Sequence, residues 1–439
     1  MNRDTAAGRT PSAGFPGWRM VWVLGATETV SYGVLFYSFA VFITPMQDAL
    51  GWSQATLTGA FSVSVLVTGV AAIPAGAWLD RHGARALMTA GSVLAGACVA
   101  AWAATGNVLA FYAAFTGIGV AGAAVLYEPA FATVNAWFEI RRQDALLTVT
   151  MMAGLASTIF LPAAALLTGL VGWRRALLIL AGVQVATAVP HALVLRRRPA
   201  DHGWQRDGTR TAAGGALAAA GPGRGQPAAA VRRQAVRAML ERPVVLLTVG
   251  SALGSGAIAT VAVLLPAYLR LDGWGAIAAA ASTGALGAVQ VGGRVVLTRA
   301  TRRLRTAVAA ALMLAAQAGG IAALLLIGGP AGMVIFVILF GLGYGVLNIA
   351  RPDLLARYAP RPLFARLSGM QAMLVTGAEA AGPFAGAVLR AVTGSYVPVF
   401  VAVAASSVTA ALLLVAGERA CCPDGITVPR WPRRREPAL

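Results

Sequence analysis

Long apolar stretches, each closed by a short polar or arginine-bearing gap, repeat along almost the whole chain. A membrane-spanning helix needs roughly 20 such residues. Stretches of that order fall at 20–46, 55–79, 86–105, 108–136, 145–170, 175–195, 244–269, 275–298, 306–328, 331–356, 366–390 and 396–417. The third and fourth nearly touch, and Gly106-Asn107 supplies the turn that divides them. The pattern predicts an all-α polytopic membrane protein with twelve transmembrane helices in two pseudo-symmetric six-helix bundles. The expected division is an N-terminal bundle over 1–198, a linker over 199–241 and a C-terminal bundle over 242–439.

The linker is the one long interruption. Its first part is rich in Gly, Ala, Pro and Arg and reads as a flexible connection. Its last part, Ala229 to Arg242, sets Val231, Val236, Met239 and Leu240 among Arg232, Arg233, Arg237 and Arg242. That is the composition of a basic amphipathic helix on a membrane face, or equally of a solvated charged linker.

The halves on either side echo each other. Gly117-Ile-Gly119 followed by Glu128-Pro129 in the fourth run answers Gly341-Leu-Gly343 followed by Arg351-Pro352 in the tenth. Pro162 ahead of Gly172-Trp173 answers Pro383 ahead of Gly394-Ser-Tyr396. Repeated halves of this kind are a building plan of transporters.

Composition agrees with a membrane protein. Hydrophobic residues make up 58% of the 439 residues and charged residues 12%, against about 25% charged in ordinary soluble domains. A net charge of +19 could suggest phosphate-backbone binding. The basic residues argue otherwise: all 35 are arginine, and they gather in the gaps between apolar runs. No nucleic-acid partner is expected.

The arginines also orient the chain. With both termini on one side, nearly all of them fall on that side. Arg174, Arg175, Arg270 and Arg390 lie opposite, and Arg294 and Arg351 lie within runs. By the positive-inside rule the arginine-rich side is cytoplasmic. The expected location is the inner (plasma) membrane, multi-pass, with cytoplasmic N- and C-termini. The first run is too long for the core of a cleaved signal peptide and reads as a retained helix.

Cysteine and histidine supply no site. Cys98 lies in a run, Cys421-Cys422 follow the last one, and His82, His191 and His202 are far apart. No metal or cofactor is expected, and His82 reads as a solvated loop residue. A phosphate-cradling Gly-x-x-x-x-Gly-Lys motif is impossible without lysine, and no nucleophile with a base is visible. An enzyme is therefore not expected.

Between the second and third runs stands Gly76-Ala-Trp-Leu-Asp80-Arg81-His-Gly83-Ala-Arg85. Its charges cannot enter hydrocarbon cheaply, so it belongs at a membrane surface, and its glycines allow a tight turn and close helix approach. This segment resembles the hallmark loop of the major facilitator superfamily: Gly76, Asp80, Arg81, Gly83 and Arg85 match, while Ala84 replaces one usual basic position. The resemblance, which covers nearly the whole chain, implies the superfamily's two-bundle fold and alternating-access transport. It also implies a role for Gly76, Asp80, Arg81, Gly83 and Arg85 as a conformational gate remote from substrate. Weaker likeness to the monocarboxylate and oxalate/formate branch lies in Tyr37 to Pro45 followed by Gly51-Trp52-Ser53. It continues in Tyr127-Glu-Pro-Ala-Phe131, Trp137-Phe138 and Arg141-Arg142. In that branch a basic residue of the eighth helix meets the substrate carboxylate, and Arg294 occupies the matching place. The second cation of the branch, usually a lysine, has no counterpart, which disfavours a dicarboxylate.

Ionisable residues inside apolar runs need a partner, a wet cavity or a function. Arg294 can hold a carboxylate with its planar fork; a salt bridge or snorkelling is the alternative. Tyr37 and Tyr127 are the accompanying substrate-binding candidates. Glu28, Glu128 and Glu379 are proton-coupling candidates, because a carboxyl group in low dielectric can couple proton uptake to transport. Glu128 and Arg351 hold matching repeat positions and form a candidate inter-repeat pair, unless each pairs within its own half. Pro129, Pro162, Pro352 and Pro383 read as bends.

The expected function is secondary active transport of a small, monocarboxylate-like organic anion by proton symport, with a proton and the lipid bilayer as the other partners and a monomer as the expected state. Drug or metabolite antiport is the alternative. The fourth run, however, has no arginine between Phe111 and Ala136, and Gly382-Pro383-Phe-Ala-Gly386 sits in the eleventh run rather than the fifth. A membrane sensor that does not transport is a further alternative.

Overall fold

The computed structural model describes residues 15–208, 228–301, 303–358 and 363–421. Arg3, Arg9, Cys422 and the middle of the linker lie outside the described residues. The helices of the first half are α1 (Gly17–Tyr32), a π-helical segment (Gly33–Tyr37), α2 (Phe39–Leu50), α3 (Gln54–His82), α4 (Ala84–Ala104), α5 (Val108–Val125), α6 (Tyr127–Trp137), α7 (Arg142–Ala153), α8 (Ala156–Val171), α9 (Trp173–Ala186) and α10 (Ala188–Val194). Two short 3-10 turns, Ala200–His202 and Arg206–Gly208, lead to α11 (Ala228–Met239). The second half contains α12 (Arg242–Leu271), α13 (Ala276–Ala300), α14 (Thr306–Leu326), α15 (Gly329–Tyr344), α16 (Leu347–Tyr358), α17 (Phe364–Thr393) and α18 (Val397–Cys421).

Eleven continuous helical stretches among the described residues are long and apolar enough to cross a membrane, and Gly329–Tyr344 is a shorter apolar helix continued by α16. These are the twelve expected passes. The divider between the third and fourth is the expected one: α5 starts after Asn107, whose side chain accepts from the backbone N–H of Ala110 at 2.8 Å.

The halves repeat each other in backbone detail. The fourth pass breaks at Leu126, between α5 and α6, and the tenth at Gly345-Val346, between α15 and α16. Glu128-Pro129 and Arg351-Pro352 follow these breaks. Gly172 (φ +81°) turns α8 into α9, and Gly394 (φ +70°) follows α17, conformations that only glycine takes without strain.

The chain forms two compact units. The first holds α1, the π segment, the second half of α3 and everything to α10; the second holds α2, the first half of α3 and α11 to α18. In the first unit Phe15, Trp18, Trp137, Phe138 and Trp204 pack with ring centroids 5.2–5.8 Å apart. Trp204 belongs to the start of the expected flexible linker, and Asp207 ties that segment down. Its carboxylate accepts the backbone N–H groups of Glu139 (3.0 Å), Ile140 (2.9 Å) and Arg141 (3.0 Å), just ahead of α7. The linker is thus ordered through residue 208.

In the second unit α12 packs on α17 and α18, and α14 on α15 and α18. The amphipathic α11 is present, but it buries Ala235, Ala238 and Met239 in this unit's core and leaves Val236 and Leu240 exposed. Small residues lie inward because they let α11 approach closely. At one end of the unit Tyr396 donates to Gln54 Oε1 at 2.9 Å, with the Arg390 guanidinium 4.8 Å above its ring. Burial pushes the Tyr396 phenol above its ordinary pKa, so it remains a donor at neutral pH.

Candidate functional site

Arg294 owes its position to glycine. A side chain at Gly293 would collide with the Leu342 carbonyl, and one at Gly341 would stand 2.8 Å from Val289. The absent side chains let α13 and α15 cross with their backbones nearly touching. Arg294, the next residue, is 4% exposed. Its guanidinium lies against Gly345, at the break ahead of α16, and its Nη2 reaches Gln290 Oε1 at 3.5 Å. That distance is a weak hydrogen bond. A buried guanidinium beside the start of a half-helix has both fixed charge and oriented N–H groups with which to meet an anion.

A second close crossing places Glu379. At Gly382 a Cβ would lie 2.5 Å from the carbonyl oxygen of Gly256, and at Gly256 it would lie 3.0 Å from that of Ala378. This contact of α12 with α17 brings the Glu379 carboxylate to the hydroxyl of Ser255, which donates to it, and into the field of Arg351. Arg351 therefore has an acidic neighbour within its own unit. Glu128, its partner in the repeat, belongs to the first unit and is exposed in the first turn of α6.

Glu28 is fully buried on α1, and neither carboxylate oxygen has a hydrogen-bond partner among the described residues. The flanking hydroxyls point elsewhere: Thr27 donates to Val23 O (3.0 Å) and Thr29 to Gly25 O (2.8 Å). One turn on, Ser31 accepts from Gln184 Nε2 at 3.2 Å. Thr187 then joins Ser92 (2.9 Å), and Ser92 meets His191 Nδ1 (3.0 Å). This buried polar string was not evident in the sequence: His191 and Ser92 are 99 residues apart, and nothing local links them.

Tyr127 is brought to Tyr32, with ring centroids 4.6 Å apart, and Tyr37 to Phe36 at 5.3 Å. Tyr32 and Phe36 carry no charge and match no motif, so only the structure reveals them. The π segment beside them holds an extra residue per turn, and Ser38 Oγ donates to the carbonyl of Gly33 at 2.7 Å.

The Gly76–Arg85 segment is mostly helix. Asp80 and Arg81 lie in the last turn of α3, and the connector is Gly83 alone, at φ +80°, with its N–H on Leu79 O at 2.9 Å. A Cβ at Gly83 would press on the Arg197 side chain, whereas one at Gly76 would meet open space. The close approach thus falls at Gly83. A cavity of about 180 Å³ lies beside it, lined by Asp80, Thr133, Arg197 and Arg198 among others. His82 is exposed and stacks near Trp78 at 4.3 Å. No group of three or more potential metal ligands occurs among the described residues.

The family profile described as Major Facilitator Superfamily matches residues 29–383. The chain belongs to the major facilitator superfamily. It is accordingly a multi-pass membrane transporter and not an enzyme. Monocarboxylate transporter 11 of Homo sapiens is 30% identical over 186 residues, 42% of this chain and 39% of that protein. The alignment thus spans about two fifths of that relative's length. Solved structures share the fold at low identity. The nucleoside transporter NupG (D323A mutant) matches with a TM-score of 0.71 at 12% identity, over 92% of this chain and all of that one. The D-xylose-proton symporter matches at 0.69 and 10% identity, over 90% of this chain and 97% of that one. A bacterial homologue of the human lysosomal transporter Spinster matches at 0.68 and 14% identity, over 93% and 96%. For this superfamily member the breaks at Leu126 and Gly345 fit a general feature of transporters, whose discontinuous helices mark substrate sites.

Proposed function

We propose that the protein carries a small organic anion with a single carboxylate across the inner membrane by alternating access, in symport with a proton. The observation that carries this reading is Arg294, buried on α13 and set against the helix break at Gly345. A cation kept that far from water has a cost that binding an anion offsets. Arg351 already has Glu379 as an acidic neighbour, and the chain has no lysine. That leaves one cation for substrate and favours a monocarboxylate. The partial likeness to a monocarboxylate transporter points the same way.

Glu28 is the favoured proton site. Its carboxyl group is buried without a hydrogen-bonding or cationic neighbour, so entry of a proton neutralises a charge that nothing else balances. Glu379 is the second candidate, its charge shared with Arg351. Cytoplasmic termini follow from the arginine distribution. Uptake of labelled lactate or another monocarboxylate into proteoliposomes tests the reading. An inward proton gradient is expected to accelerate saturable uptake. Absence of carboxylate flux under any gradient would refute it.

A further inference from the structure

Five aromatic rings of the first unit form a continuous row. Phe131 stacks on Tyr127 with centroids 4.9 Å apart and planes 16° apart. Tyr127 meets Tyr32 at 4.6 Å, Tyr32 meets Phe36 at 6.5 Å, and Phe36 meets Tyr37 at 5.3 Å. All five spacings suit attractive ring contacts. Every ring is half-buried, so each keeps an open portion.

The row joins two places where the backbone leaves the α-helix: the π segment Gly33–Tyr37 and the break at Leu126. Such backbone is held at membrane depth only where protein buries it or where it lines a wet cavity. The open rings exclude complete burial, so this face lines a cavity. π-Helical insertions recur at functional sites for the same reason.

We propose that this row is the wall against which the body of the substrate lies, and that the substrate class is an aryl monocarboxylate. The inference rests on Arg294 as the carboxylate site. A flat ring can stack on Tyr127 or Tyr32, which a short aliphatic acid cannot do. Glu128, exposed and next to Tyr127, places negative charge at the row. It disfavours a second carboxylate on the substrate body.

The test compares binding of phenylacetate, cyclohexylacetate and lactate to the full-length purified protein, by competition in proteoliposomes. Cyclohexylacetate matches phenylacetate in size and apolarity but lacks the flat π face. Phenylacetate is expected to bind about 10-fold more tightly than cyclohexylacetate, the scale of a good ring–ring contact. Tyr127→Leu and Tyr32→Leu should each shrink that ratio to about 3-fold or less, while Tyr127→Phe keeps it. Equal binding of the two acids by the wild type overturns the proposal, as does a ratio that survives in Tyr127→Leu. If all three acids bind alike and all weaken in Arg294→Ala, the carboxylate site stands and only the aryl preference falls. If none binds, both fall.

Discussion

Gly345 and Arg294 are in contact across two helices: a methyl group on Gly345 would stand 3.0 Å from Arg294 Nε and 3.5 Å from Nη2. The helix break at Gly345 and the buried cation are therefore one structural unit. Gly345→Ala should displace the guanidinium by a few tenths of an ångström. Anion affinity should fall several-fold, with a stability loss under about 2 kcal/mol. Binding titration alongside thermal unfolding checks this. Unchanged affinity would mean that Arg294 does not depend on the break for its position.

Glu28→Gln keeps the shape of the side chain and removes its ability to cycle a proton. Substrate counterflow at equal pH on both sides should persist, and acceleration by a proton gradient should disappear. Uptake measured with and without the gradient separates the two. Full stimulation in the variant would remove Glu28 from the coupling path and leave Glu379 as the candidate.

Asp207 holds three backbone N–H groups ahead of α7 while itself at φ 62°. Asp207→Gly keeps that conformation accessible and removes only the hydrogen bonds. It should cost about 1–3 kcal/mol. Asp207→Ala should cost more, because it adds backbone strain. Thermal unfolding of the two variants beside the wild type gives the comparison. Equal stability of Asp207→Gly and wild type would show that the linker's ordered start contributes nothing.

The passes were legible because the bilayer demands long apolar runs, and Asn107 marked a turn that hydropathy alone would have missed. Arg294 and Glu379 were legible as charges in the wrong solvent. Their neighbours were not. In a membrane bundle all faces of a helix are apolar, so periodicity does not reveal its rotation. That is why the proximity of Arg351 to Glu379, rather than a partner chosen from repeat position alone, required the Gly256–Gly382 crossing to be seen. The aromatic row stayed hidden for a different reason. A π segment shifts the register of Tyr32 against Tyr37, and neither ring carries a charge that would draw notice.

Binding of a monocarboxylate to wild type, Arg294→Ala and Arg294→Lys bears most directly on the central claim. Gel filtration and thermal unfolding verify that each variant is folded. Arg294→Ala should lose at least about tenfold in affinity, the scale of a charge-assisted bidentate contact. Arg294→Lys should recover little, since a point charge does not reproduce the guanidinium fork. Affinity in Arg294→Ala equal to wild type would contradict the assignment of Arg294 as the carboxylate site.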